Sequence, residues 1–183
     1  MKKYMITLMA LPVCAAAFSQ QFIVSSGDLG ENFEHAFYAK SFGCTGNNIS
    51  PQIGWASAPA KTKAFAITMF DGDARAGRGF WHWGAYNIPA DSAGLATNAG
   101  DPLSGLMPGG AVQLQNDGGS LGYIGPCPPH GERHLYRITV YALKKPVKIP
   151  KGATMAQAAE IFKKNSFAEA AITSRAQRPP ESK

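Results

Sequence analysis

The hydrophobic pattern of this 183-residue chain has a period of two over most of its length. Residues 64–70 alternate: Phe65, Ile67 and Met69 share one face, Ala66, Thr68 and Phe70 the other. Both faces are largely apolar, which predicts a central strand covered on both sides, with Asp71 and Asp73 where it ends. Residues 80–88 read as a long aromatic strand stopped by Pro89 and Asp91; simple alternation sets His82 opposite Trp81 and Trp83. Residues 135–143 give a third strong strand, with Tyr136, Ile138, Val140 and Ala142 on one side. Shorter strands are predicted at 22–25, on an edge, and at 33–37, 53–55 and 111–114. Between them, 43–48 and 93–122 are polar, glycine-rich loops; connections as long as the second are often functional.

Near the C-terminus the period changes. Thr154 and Gln157 have capping-box spacing, and Met155, Ala158, Ala159 and Phe162 form a helical stripe ending at Lys163 and Lys164. Ser166 and Glu169 repeat that spacing, which predicts a second short helix to about residue 174; one continuous helix is the alternative. The pattern is therefore mainly β and antiparallel, with two short C-terminal helices.

The N-terminus has the plan of a secretory signal peptide at 1–19: Lys2 and Lys3, an apolar run too short to span a membrane, then small residues before Ser19. Cleavage after Ala17 and an uncleaved anchor are the competing readings. Cys14 follows Pro12 and Val13, which suit a lipoprotein signal poorly. Residues 20–176 then form one domain and 177–183 a flexible tail, with a periplasmic or secreted location and no integral membrane span after cleavage. The net charge of +6 includes Lys2 and Lys3. No basic block or aromatic-interleaved basic stripe follows, which argues against nucleic-acid binding, while a modest positive field favours anionic ligands or surfaces. Cys44 and Cys127 remain after cleavage, an even pair that in an exported chain reads as a disulfide; two separate buried thiols are the alternative. Neither cysteine sits in a Cys-x-x-Cys pair, so no metal site is read.

Two segments carry candidate chemistry. Asp71 and Asp73, two apart at a strand end, can point the same way, and His82 follows on the next strand. Asp-x-Asp also caps ordinary turns, and a lone histidine is as readily a core residue. The second segment runs through Gly125, Cys127, Pro128 and Pro129, a restricted loop, to His134 and Tyr136 on one strand face. If the segments meet, they form one small anion pocket. His35 and His130 read as surface or structural residues.

The stretches 42–51, Asp71-Gly72-Asp73-Ala74, Phe80-Trp81-His82-Trp83 and 125–136, in this order, resemble the phosphatidylethanolamine-binding protein family, most of all its bacterial Raf-kinase-inhibitor-like branch. The resemblance implies a large central antiparallel sheet, a smaller second sheet and C-terminal helices. It implies a pocket for a small anion or phosphorylated head group, using Asp71, Asp73, His82, Gly125, Pro128, Pro129, His134 and Tyr136, without a cofactor. The chain departs from the family's Asp-Pro-Asp-Ala-Pro, with Gly72 and Arg75 in place of two prolines, and has Leu135 where an arginine is usual. The expected function is binding, not catalysis, with modulation of a protein partner as an added role. A phosphoester hydrolase, and a protease or kinase inhibitor acting through surface loops, are the rivals.

Overall fold

The structure, a computed structural model, describes residues 21–181. The signal peptide expected at 1–19 lies outside the described residues. The strands are β1 (Ile23–Ser25), β2 (Ile53–Ala56), β3 (Ala64–Asp71), β4 (Phe80–Pro89), β5 (Gly94–Leu95), β6 (Val112–Gln113), β7 (Arg133–Leu143) and β8 (Ser166–Gln177). The helical segments are α1 (Ala74–Gly77) and α2 (Met155–Lys164). A five-stranded sheet has the order β6-β4-β3-β7-β8, and a three-stranded sheet the order β1-β2-β5, with antiparallel pairing throughout.

The two-sided apolar pattern of β3 explains the layering. Phe65, Ile67 and Met69 join Phe22, Ile53 and Trp55 in the core between the sheets. Ala64 and Ala66, on the other face, join Tyr141, Leu143, Ala158 and Phe162 beneath α2. Gly84 permits this second contact, because a Cβ there would lie 2.4 Å from the Met155 methyl.

Three local expectations are corrected. Residues 33–37 are not a strand: His35–Phe37 form a 3-10 turn. Phe33 and Phe37 are buried while His35 between them is exposed, whereas a strand would put all three on one face. The second C-terminal helix is the strand β8. The Ser166 hydroxyl donates back to the Lys163 carbonyl (3.0 Å) and closes α2, and does not start a new helix. From there β8 pairs along β7 from Leu143↔Ser166 to Arg133↔Gln177. Its alanines favour helix weakly, and a long unpaired strand edge outweighs that preference. A further bridge joins His130 to Arg178, beyond β8.

The third correction concerns β4. The register runs Met69↔Trp83, then Phe70↔Trp81, then Asp71↔Phe80, so His82 is the extra residue of a β-bulge. Trp83 therefore faces the inter-sheet core while Trp81 packs on Phe70, and His82 no longer opposes both tryptophans. Bulges re-aim side chains in this way.

Cys44 and Cys127 form a disulfide with Cα atoms 5.9 Å apart and a sequence separation of 83. Replacing both by serine frees the unfolded chain of that constraint. We expect a loss of about 4 kcal/mol in stability by urea unfolding, on the chain-entropy model. A double variant as stable as the disulfide-bonded protein would contradict this.

Candidate functional site

A cavity of about 510 Å³ lies where β3 ends. It is lined by all eight residues singled out from the sequence: Asp71, Asp73, His82, Gly125, Pro128, Pro129, His134 and Tyr136. Register explains the convergence. Asp71 pairs with Phe80 on one side and Tyr136 on the other, and His134 lies two residues from Tyr136 on the same face. The bulge turns His82 towards Phe80 and Tyr136, with ring centroids 4.6 and 5.1 Å away.

Asp71 is buried and fully engaged. Its Oδ1 accepts the backbone N–H groups of Asp73 (2.9 Å) and Ala74 (3.1 Å), and its Oδ2 faces His134 Nδ1 at 2.8 Å. Asp73 takes a separate donor, the Leu135 N–H at 2.8 Å, and so pins the start of β7 to the loop after β3. Gly125 has a structural reason: a Cβ would come within 2.2 Å of the Phe37 carbonyl oxygen, and its N–H donates to Asn48 Oδ1 (2.8 Å). No peptide bond in the described residues is cis, those preceding Pro128 and Pro129 included.

The two histidines differ. His82 Nδ1 lies 2.9 Å from the Ile124 carbonyl, which can only accept, so that nitrogen carries the proton and Nε2 is bare in the neutral ring. Burial is the main cause that lowers its pKa to about 4, against raising contributions from the Ile124 bond and Asp71. His134 has a carboxylate at each nitrogen, Asp71 at 2.8 Å and Glu132 at 2.8 Å. Burial disfavours its charge, but the bonds to Glu132 and Asp71 outweigh it and the pKa is raised. Both His134 nitrogens are therefore occupied by protein carboxylates.

Tyr136 is different again. It is 1% exposed, and its hydroxyl makes no hydrogen bond within 3.5 Å, the Asp71 carboxylate being the acceptor it faces. Burial, then the charge of Asp71, raises its pKa, so it stays a donor.

Four lining residues extend the set. Glu132 was open to sequence reasoning, two positions before His134 on one strand face. Phe42 had no local signal; the disulfide two residues later brings it in. Phe80 faces the cavity because of the bulge. Arg75 lies over the Phe80 ring, 4.7 Å from its centroid, and reaches Asp117 Oδ2 at 3.5 Å. Arg75 and Ala76 have φ of 53° and 55°, in the left-handed region. Proline cannot adopt such a φ. The Arg75 departure is therefore a different loop conformation, with a guanidinium at the cavity mouth.

The sequence profile described as phosphatidylethanolamine-binding protein matches residues 23–177. The chain belongs to this family. It is 36% identical to UPF0098 protein YbcL of Escherichia coli over 94% of this chain and 97% of that one. The crystal structure of E. coli YbcL superposes with a TM-score of 0.82 at 37% identity, covering 86% and 99% of the two chains. The similarity to UPF0098 protein YbhB of E. coli is 40% over 81% of this chain and 95% of that one. The phosphatidylethanolamine-binding protein fold, with its larger and smaller sheets, is thus the fold of this chain.

The opposite histidine shifts predict a stability maximum between two arms. His82 is depressed, so the unfolded state binds its proton first, and stability falls as pH drops from about 6.5 towards 4, at no more than about 1.4 kcal/mol per pH unit. His134 is raised, so its contribution is complete below about pH 6.5 and is lost as pH rises through its folded value. Urea unfolding across pH should show the acid arm flattened in His82→Gln and the alkaline arm flattened in His134→Gln. Unchanged slopes in both variants would refute the assignment.

Proposed function

We propose that this family member is an exported binding protein whose cavity takes a phosphorylated head group. The carrying observation is the buried Tyr136 hydroxyl, a donor that makes no hydrogen bond within 3.5 Å, beside Asp71 and His134, whose polar atoms are already bonded to one another and to their neighbours. An unmatched buried donor costs free energy that a phosphoryl oxygen would recover. Arg75 at the mouth supplies a cation, with its side chain 48% exposed. The bare His82 Nε2 would accept from a protonated phosphate oxygen.

The electrostatics refine the ligand class. Asp71, Asp73 and Glu132 outnumber Arg75 and His134 around the cavity. A bare anion is poorly compensated there. A head group that carries an ammonium as well as a phosphoryl group fits better, with Glu132 as the amine's partner.

Binding is favoured over catalysis because neither histidine is poised for proton transfer: His134 is held at both nitrogens, and burial makes His82 a weak base, with a pKa of about 4. Export is supported by the disulfide and by a relative in Mycobacterium tuberculosis, LppC, whose name marks it as a candidate lipoprotein; it is 36% identical over 72% of this chain and 61% of that one. A partner-modulating role has one supporting feature, the exposed Leu103 and Leu106 on the long loop before β6.

Calorimetric titration should give tighter binding of phosphoethanolamine than of inorganic phosphate. Tyr136→Phe should weaken phosphoethanolamine about tenfold, the value of one hydrogen bond, at unchanged thermal stability. Absence of any binding by either compound, or full affinity in Tyr136→Phe, would overturn the reading. Turnover of a phosphodiester that is lost in Asp73→Asn would favour the hydrolase.

A further inference from the structure

At the end of the sheet opposite the cavity, the fold gathers lysines from three separate segments. The end is defined by the pairs Ala64↔Pro89, Ala64↔Leu143 and Leu143↔Ser166. Lys61 and Lys63 precede β3, and the Lys63 N–H bonds the Leu143 carbonyl. Lys144 and Lys145 follow β7, with the Lys144 N–H on the Asn165 carbonyl, next to Lys163 and Lys164 at the end of α2. Lys148 follows Val147, whose backbone is held on both sides by the Asn87 amide near the end of β4. All seven side chains are exposed, and none makes a salt bridge among the described residues.

The opposing charge is sparse. Asp91 is the one acidic residue in the loops at this end, while Glu160 and Glu169 lie on a flank of the sheet beside Arg137 and Lys163, with Glu160 also near Lys164. The six arginines all lie outside this set. Arginine suits bidentate recognition of a fixed carboxylate or phosphate, whereas lysine is a point charge on a flexible stem. A lysine-only face fits a laterally mobile anionic surface better than one shaped partner. Phe167 adds an apolar element: it is 45% exposed, with the Lys144 ammonium 5.9 Å from its ring centre. An aromatic side chain among cations suits the head-group level of a bilayer.

We propose that this lysine pole docks the protein on an anionic phospholipid surface. The eight residues of β3 span the distance to the cavity, about 23 Å at the usual rise per residue. The docked protein therefore keeps its cavity at the far end of the sheet, away from the lipid that holds it. The proposal stands independently of what the cavity binds.

The test is co-sedimentation of the purified protein with vesicles of phosphatidylglycerol and phosphatidylcholine. Binding is expected at about 50 mM salt and should vanish at about 500 mM, where screening shortens the reach of surface charge. Each lysine near such a surface is worth about a fivefold gain in partitioning. The variant Lys144→Gln/Lys145→Gln/Lys163→Gln/Lys164→Gln should thus bind at least about 50-fold more weakly, with an unchanged melting temperature. Tyr136→Phe should bind vesicles as the parent does. Equal binding to pure phosphatidylcholine, binding that survives the lysine substitutions, or loss in Tyr136→Phe would each overturn the proposal. So would retention on heparin without any vesicle binding, which would point to a soluble polyanion.

Discussion

A carboxylate taken out of water must be matched by donors or charge, and Asp71 is buried to 2% exposure at the end of the central strand. Its two backbone bonds fold the chain over immediately after β3, and its contact with His134 crosses to β7. Glu132 then closes the other side of the same imidazole. One buried acid therefore fixes a turn, a strand pairing and the protonation of a neighbouring ring. Loss of the acid would leave His134 without its buried counter-charge, a change costlier than the pair's own net contribution.

The opposite wall of the cavity rests on different physics. The loop at 123–129 has little regular backbone pairing, and it is held from outside. Gly125 lies flat against the backbone of 37–39 and donates to Asn48, Tyr123 donates to the Phe37 carbonyl, and the disulfide ties Cys127 to Cys44. Arg178 adds a clamp by reaching the Gly43 and Pro128 carbonyls from beyond β8. Such a wall is formed before any ligand arrives, which lowers the ordering cost of binding. The two walls meet at His82, and the bulge in β4 is what turns that ring towards both.

These features differ in how far the chain announces them. The strands β3, β4 and β7 follow from alternation and apolar content, because their burial on both faces is written in the residues themselves. The fate of residues 166–177 is not, since an alanine-rich run leans towards helix and the open edge of β7 overrides that preference. His82 shows a subtler limit: that it belongs with Asp71 was readable, but its direction depends on one inserted residue, which strict alternation places on the wrong face. The state of the histidines was also beyond sequence, because Ile124, Glu132 and the depth of burial set it together. The lysine pole leaves no basic block in the chain, because antiparallel pairing assembles it from segments as far apart as Lys61 and Lys164.

The same pairing separates charge along the molecule. Asp71, Asp73 and Glu132 surround the cavity at one end of the sheet, and seven lysines that make no salt bridge among the described residues occupy the other. Net charge alone would attract the protein weakly to any polyanion, without preference for orientation. Charge divided between two ends about 23 Å apart, more than two Debye lengths at physiological salt, does more. An anionic surface attracts the lysine end more strongly than the cavity end, where Arg75, Arg78, Arg133 and Arg178 stand among the acids, so approach is oriented before contact. This also constrains the cavity's ligand. Whatever enters does so at an acidic mouth turned from such a surface, with Arg75 as the cation beside it, which disfavours simple anions and favours a head group carrying its own positive charge.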